Sequence, residues 1–159
     1  HEKRVKLIRE GAERLGLSNI SAKAGDATVY SGDIPKCTKI LCDVPCSGFG
    51  VISHKPEIKY KSLSEFERLP EIQYNIAQNA LNYLAVGGEM VYSTCSILPC
   101  ENEEIIKNAA KKHHFKILPI DEELRNNLPL LPCSLDNALC VAPTKDYEGF
   151  FVVKMKKNH

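Results

Sequence analysis

Short strand-like runs alternate with stretches of helical spacing along this chain, and that alternation admits few folds. ISAKAGD (20–26), TKILCDVP (38–45), EMVYSTC (89–95), FKILPI (115–120) and GFFVVKM (149–155) read as strands. In HEKRVKLIREGAERLGL, Val5, Ile8, Ala12 and Leu15 recur at spacings of three and four, which sets them on one helix face, and Gly16 suits the end of that helix. Pro70 fits the first turn of a helix running to about Leu84, with Ile72, Ile76, Ala80 and Leu84 on its buried face and Gly87 and Gly88 as its stop. A further helix over 101–113 buries Ile105, Ile106, Ala109 and Ala110. Elements in this order predict an α/β protein with a doubly wound, mostly parallel sheet, whose ligands sit beyond the carboxyl ends of the strands.

Four residues with chemistry to offer fall on that edge: Asp26, Asp43, Cys46 and Cys95. Taken singly, such an aspartate is a turn residue and such a cysteine a small buried apolar group; the four together point to a site. Residues 47–63, with Gly48, Gly50 and Pro56 and no sustained periodicity, read as a loop over the same edge, where long loops are often functional. A length of 159 residues gives one domain, large enough to bury roughly 70% of its unfolded surface. Apolar content of 43%, charged content of 26% and no apolar run near the roughly 20 residues that cross a bilayer predict a soluble globular protein without a membrane partner. No signal peptide is visible.

Twenty-one basic and twenty acidic residues leave a formal charge of +1, which neither advertises nor excludes a nucleic-acid partner. Lys3, Arg4, Lys6, Arg9 and Arg14 are interleaved with Glu2, Glu10 and Glu13 and read as a solvated helix face, while Lys154, Lys156 and Lys157 form a weak basic tail. Seven cysteines, an odd number without a secreted-protein framework, fit reduced thiols in a cytoplasm. Neither Cys42 with Cys46 nor Cys95 with Cys100 has the tight spacing of a zinc ribbon, so no metal is expected.

In chain order the sequence carries HEKR with RLGL, GDA, DVPCSGFG, HKPEIKY, a GG before EMVYSTCS, ENEE and EGFF. This series, spread over nearly the whole chain, resembles the Sun-type RNA cytosine-5 methyltransferases, enzymes that use S-adenosylmethionine, with bacterial 16S ribosomal RNA enzymes nearest in pattern. DVPCSGFG and YSTCS followed by ENEE are its most specific elements. Val44 stands where alanine is commoner, and HKPEIKY softens an arginine-containing pattern ending in tryptophan, which weakens Lys55 and Lys59 as RNA contacts. The resemblance implies a Rossmann-like methyltransferase fold. The family's glycine-rich loop, of the CAAPGGK kind, and the acid expected just before HEKR are not in the sequence. Residues 1–159 are therefore expected to form a single catalytic domain, incomplete at its amino end and equivalent to the family's carboxyl-terminal part. Its sheet would be completed by the rest of the polypeptide or by another chain, with the 20–26 strand two strands removed from the 38–45 strand.

The family's chemistry explains why two thiols would be needed. Carbon 5 of cytosine is a weak nucleophile, and a thiolate adding to carbon 6 makes it reactive. The resemblance implies that Cys95 is this nucleophile, that Cys46 assists release of the product, and that Asp43 stabilises the ring at N3 and also lines the cofactor pocket. Asp26, in GDA, matches the contact to the cofactor's adenine. The implied partner is RNA, ribosomal RNA by nearest pattern, in the cytoplasm. Against this stand a redox protein, for which no C-x-x-C pair is present, and an RNA-binding or assembly module without turnover, for which two such thiols are superfluous. Methylation at an exocyclic nitrogen needs no thiol. Tyr92, Phe49, Phe150 and Phe151 stay open between core packing and base stacking.

Overall fold

In the computed structural model, residues 2–158 are described; His1, the first residue of the HEKR match, lies outside them. Helix α1 (Glu2–Arg14) closes in a Schellman turn, with Leu17 N–H donating to Ala12 O, Gly16 N–H donating to Glu13 O, and Gly16 at φ +67°. Its expected apolar face is only half realised: Val5 and Ala12 are buried, but Ile8 and Leu15 are 51% and 62% exposed. The interleaved charges do face water, and Lys6 pairs with Glu10 on the surface.

Residues 20–26, expected as a strand, form none. A strand needs a neighbour for its N–H and C=O groups. Among the described residues this segment has no ladder partner, and one of its backbone ties is to a side chain, Arg9 Nη2 donating to Ala22 O at 2.8 Å.

The sheet is built from β1 (Cys37–Asp43), β2 (Leu84–Thr94), β3 (Phe115–Leu118), β4 (Leu139–Val141) and β5 (Phe150–Lys157), in the order β1-β2-β5-β3, with β4 also on β5. β1 and β2 run parallel, whereas β2, β3 and β4 are all antiparallel to β5. Four strands thus share one direction, as expected, but the fifth lies in the middle and makes three of the four pairings antiparallel. β4 lies between Pro132 and Pro143 and is not among the strands expected from sequence; a three-residue strand is too short to show a rhythm.

Helix α2 (Leu69–Tyr83) has Pro70 in its first turn and passes directly into β2, so Gly87 and Gly88 lie inside the strand region and do not stop the helix. Gly87 takes φ +74°, and a Cβ on Gly88 would press on Thr38 O at 3.0 Å, where β1 begins. The most deeply buried row of α2 is Gln73, Ala77 and Leu81, one residue round from the expected Ile72, Ile76 and Ala80, which are only partly covered. Lys157 closes the helix from the far end of the sheet, donating from Nζ to Leu81 O at 2.8 Å and Leu84 O at 3.0 Å. Lys154 pairs with Glu89 at 3.1 Å, so two of the three tail lysines already have partners.

After β2 a short 3-10 turn (Pro99–Glu101) leads into α3 (Glu103–Ala109), which buries Ile105, Ile106 and Ala109 but leaves Ala110 exposed. Residues 119–121 lead from β3 to α4 (Glu122–Asn126), capped by Asp121, whose Oδ1 accepts from Glu123 N and Leu124 N. The core lies between the sheet and helices α2 and α3, around Leu81, Leu84, Met90, Tyr92, Ile106, Phe151, Val153 and Met155. Tyr92 and Phe151, both fully buried, meet edge to face at 6.3 Å and are core residues, not stacking platforms.

Candidate active site

Two parallel strands in register carry the site. Asp43 pairs with Ser93 at the ends of β1 and β2, and Val44 N–H adds one further bond to Ser93 O at 3.3 Å before the strands part. Three residues past Asp43 stands Cys46; two past Ser93 stands Cys95. Their sulfurs lie 2.8 Å apart, both thiols half-buried. Ser93 Oγ donates to Asp43 Oδ1 at 3.1 Å, and the Asp43 carboxylate is otherwise open to the strand edge.

Burial first, then the hydrogen bond to Cys95 and the charge of Cys95, push the Cys46 thiol up to about 12, so at neutral pH it holds its proton against the other sulfur. The turn around Cys46 is fixed from outside. Ser47 N–H and Oγ–H donate to the two oxygens of Glu101, at 2.9 and 2.6 Å, and Gln73 Nε2 donates to Pro45 O at 2.8 Å. Further on, Gly50 N–H donates to Cys95 O at 3.0 Å and Gly149 N–H to Gly50 O at 2.7 Å. These backbones lie so close that a Cβ on Gly50 would enter the Gly149 carbonyl and come within 2.8 Å of Cys95 O. The glycines of DVPCSGFG and EGFF therefore form one crossing that locks the Cys46 loop to the Cys95 strand end.

The loop over 47–63 forms three short 3-10 turns and not an irregular arm. Ile58 is buried beneath Gly48, which takes φ +78°, while Lys55, Lys59 and Tyr60 stand out in solvent, Tyr60 at 89% exposure. Phe49 packs on Phe66, with ring centroids 5.3 Å apart.

Beside β1 opens a cleft of about 700 Å³ lined by Asp26, Ile40, Asp43, Ile76 and Asn79, among others. Asp26 lies on its rim; Thr28 Oγ1–H and then Thr28 N–H, both donating to Oδ1, hold its carboxyl below the usual range. The rim segment hangs from α2: Asn79 Nδ2 donates to Ala27 O at 2.8 Å and Val29 O at 2.9 Å, and Tyr83 stacks on Tyr30 and bonds Ser31. The structure therefore places Asp43, Cys46 and Cys95 together, with Asp26 across the cleft. Glu101 and Gln73 were not singled out from sequence. The signal available was a polar side chain at core spacing, Gln73 three before Ile76 and four before Ala77, and an ENEE run opening an otherwise buried helix.

A parallel β1–β2 pair, an antiparallel β5 inserted beside it and two thiols meeting at the strand-end edge belong to a Rossmann-like methyltransferase fold. The chain belongs to the 16S rRNA methyltransferase RsmB/F family, whose description matches residues 1–156. It is 39% identical to the probable ribosomal RNA small subunit methyltransferase B of Bacillus subtilis over 99% of its own length and 36% of that protein's. It is 32% identical to the ribosomal RNA small subunit methyltransferase F of Shewanella woodyi, over 97% and 33%. The chain thus spans about a third of the length of these relatives. Among solved structures, NSun6 from Pyrococcus horikoshii with SFG superposes with a TM-score of 0.84 at 27% identity, covering all of this chain and 40% of that one.

Proposed function

We propose that this chain carries the reacting thiols of an S-adenosylmethionine-dependent RNA cytosine-5 methyltransferase that acts on ribosomal RNA in the cytoplasm, residues 1–159 being the larger, carboxyl-terminal part of a single catalytic domain. The observation behind the reading is the 2.8 Å contact between Cys46 and Cys95 beside the open carboxylate of Asp43. No helix is long and apolar enough to cross a membrane among the described residues.

The cleft suits the adenosyl part of the cofactor: Ile40 and Ile76 offer apolar walls for a flat ring, and Asp26 and Asp43 offer acceptors for an exocyclic amine and hydroxyls. When bound, S-adenosylmethionine supplies a methyl group on a positively charged sulfur. On the protein side, a thiolate at Cys95 attacks carbon 6 of the cytosine; the sulfur–carbon bond forms as the carbon 5–carbon 6 π pair shifts to carbon 5, which takes the methyl group. Asp43 Oδ2, not used by Ser93, is free to hold a proton or hydrogen bond at N3 while the ring bears that charge.

Cys46 enters at the second step. With its sulfur bonded to carbon 6, Cys95 no longer carries charge or accepts a hydrogen bond as a thiolate. Two of the causes that hold up the Cys46 thiol then vanish, and it yields its proton to water more readily. The Cys46 sulfur then takes the proton from carbon 5; that C–H pair restores the carbon 5–carbon 6 double bond, and the sulfur–carbon 6 pair returns to Cys95. The free edge of β1, where Leu41 is 74% exposed beside the cleft, is the place for a further strand from the same polypeptide or another chain.

In the full-length protein, Cys95→Ala is expected to reduce transfer below a few per cent while S-adenosylmethionine still binds, and Cys46→Ala to accumulate a denaturant-resistant protein–RNA adduct. Retained transfer in Cys95→Ala, or an adduct in Cys95→Ala and none in Cys46→Ala, would overturn the assignment.

A further inference from the structure

We infer that Glu101 is a positioning residue for the release step: its buried carboxylate fixes the Cys46 turn against the Cys95 strand end. The inference rests on the thiol roles given above. Glu101 is 2% exposed, and among the described residues no Lys, Arg or His lies within ion-pair distance of it. A carboxylate taken out of water without a cation is costly unless neutral donors replace its hydration. Here every such donor belongs to the Cys46 turn or to the helix beside it. Ser47 N–H donates to Oε1, Ser47 Oγ–H to Oε2, and Gln73 Nε2 to Oε1 at 3.1 Å.

The same Gln73 nitrogen holds Pro45 O, so the residues on both sides of Cys46 are held by one connected group. Ser47 Oγ also meets Ser96 Oγ at 3.3 Å, and Ser96 follows Cys95. Glu101 itself ends the short turn that leaves β2, with Tyr92 Oη donating to its carbonyl at 2.7 Å from the core. The carboxylate thereby links three separate pieces of chain: the turn bearing one thiol, the strand end bearing the other, and α2. A neutral hydrogen-bonded pair would serve to fill space. An anion bound by two Ser47 donors sets the height of the adjoining Cys46 to within the tolerance that proton transfer from carbon 5 requires. Cys95 has separate support from the β1–β2 ladder and from Gly50 N–H, so its step is less exposed to the loss of Glu101.

The test measures, in the full-length protein with RNA and S-adenosylmethionine, both the rate at which adduct forms and the rate at which it decays to methylated RNA. Glu101→Gln keeps the shape but loses the anion, and is expected to slow decay about tenfold, with adduct formation within about twofold of the parent. Glu101→Asp withdraws the carboxylate by one methylene and should be the worse of the two, so the order of rescue follows reach and not charge alone. Ser47→Ala, which keeps the Ser47 N–H bond to Glu101 but removes the Oγ and with it the bonds to Glu101, Ser96 and Phe49 N, gives the same selective slowing should the Glu101 variants fail to fold. Equal slowing of both steps, or no change in either, overturns the inference. Cys46→Ala serves as the reference: if it accumulates adduct while the Glu101 and Ser47 variants do not, Glu101 is structural only. If Cys46→Ala itself accumulates none, the thiol roles fall and the inference falls with them.

Discussion

Cys46 keeps its proton because three influences act together: burial foremost, then the hydrogen bond to Cys95, then the charge there, which carry its thiol up to about 12. Below that value its thiolate fraction rises about tenfold for each pH unit. Iodoacetamide should therefore label Cys46 slowly at pH 7.5 and progressively faster towards pH 10. Cys95→Ala removes the second and third influences and leaves the first, so the thiol titrates lower and labelling at pH 8.5 should be faster than in the parent. Timed alkylation followed by peptide mapping reads this directly, and an unchanged or slower rate would contradict it. At this scale the sequence is informative about residues whose chemistry is intrinsic: a thiol at a strand end or an aspartate in a turn announces itself. Glu101 does not, because nothing within a few positions of it shows that Ser47 and Gln73, 54 and 28 residues away, will enclose it.

Among the elements, α2 does two jobs with two faces. Gln73 reaches the thiol turn, while Asn79 and Tyr83 carry the segment that bears Asp26. Two bonds from one buried amide to Ala27 and Val29 carbonyls are worth about 1–3 kcal/mol together. Asn79→Ala should thus raise amide hydrogen exchange across 26–31 by roughly tenfold or more and weaken cofactor binding, without changing exchange in β2 or β5. Protection lost throughout the sheet would show that Asn79 serves the core instead. Helix α2 was legible because its apolar spacing exceeds two turns; α3 was legible from Ile105, Ile106 and Ala109 at helical spacing, although it spans only Glu103–Ala109 of the 101–113 stretch. The division of α2 between faces was not, since Gln73 and Asn79 read as ordinary polar positions until their distant backbone partners are known. The 20–26 segment shows the opposite failure: local composition suited a strand, but pairing is a property of two segments and not of one.

For the whole molecule, the order β1-β2-β5-β3 leaves β1 at the edge with Leu41 uncovered, next to a cleft whose rim includes Val29 and Ile34, 60% and 42% exposed. An unpaired edge bordered by apolar side chains invites a second chain. A polypeptide of these 159 residues alone is expected to associate or to unfold readily, and to bind S-adenosylmethionine much more weakly than micromolar. Light scattering together with isothermal titration checks both halves, and a stable monomer with micromolar affinity would refute them. Fold class was legible from the alternation of elements, but the antiparallel insertion of β5 was not, because strand direction depends on where the chain has been led and not on what the strand contains.

That insertion has a consequence in time. β5 comes last of the five strands, yet β2 on one side and β3 and β4 on the other depend on it for their hydrogen bonds. Gly149, just before it, supplies the crossing at Gly50. As the chain leaves the ribosome, a parallel β1–β2 pair and two helices emerge first, with no middle to the sheet and without the Gly149 crossing over Gly50. Only when residues 149–157 follow can the two halves of the sheet join. Completion of the sheet and closure of the Gly149 crossing over Gly50 are then a single late event, so a nascent chain holds its thiol turn only by Glu101, Gln73 and Gly50 until its sheet is whole.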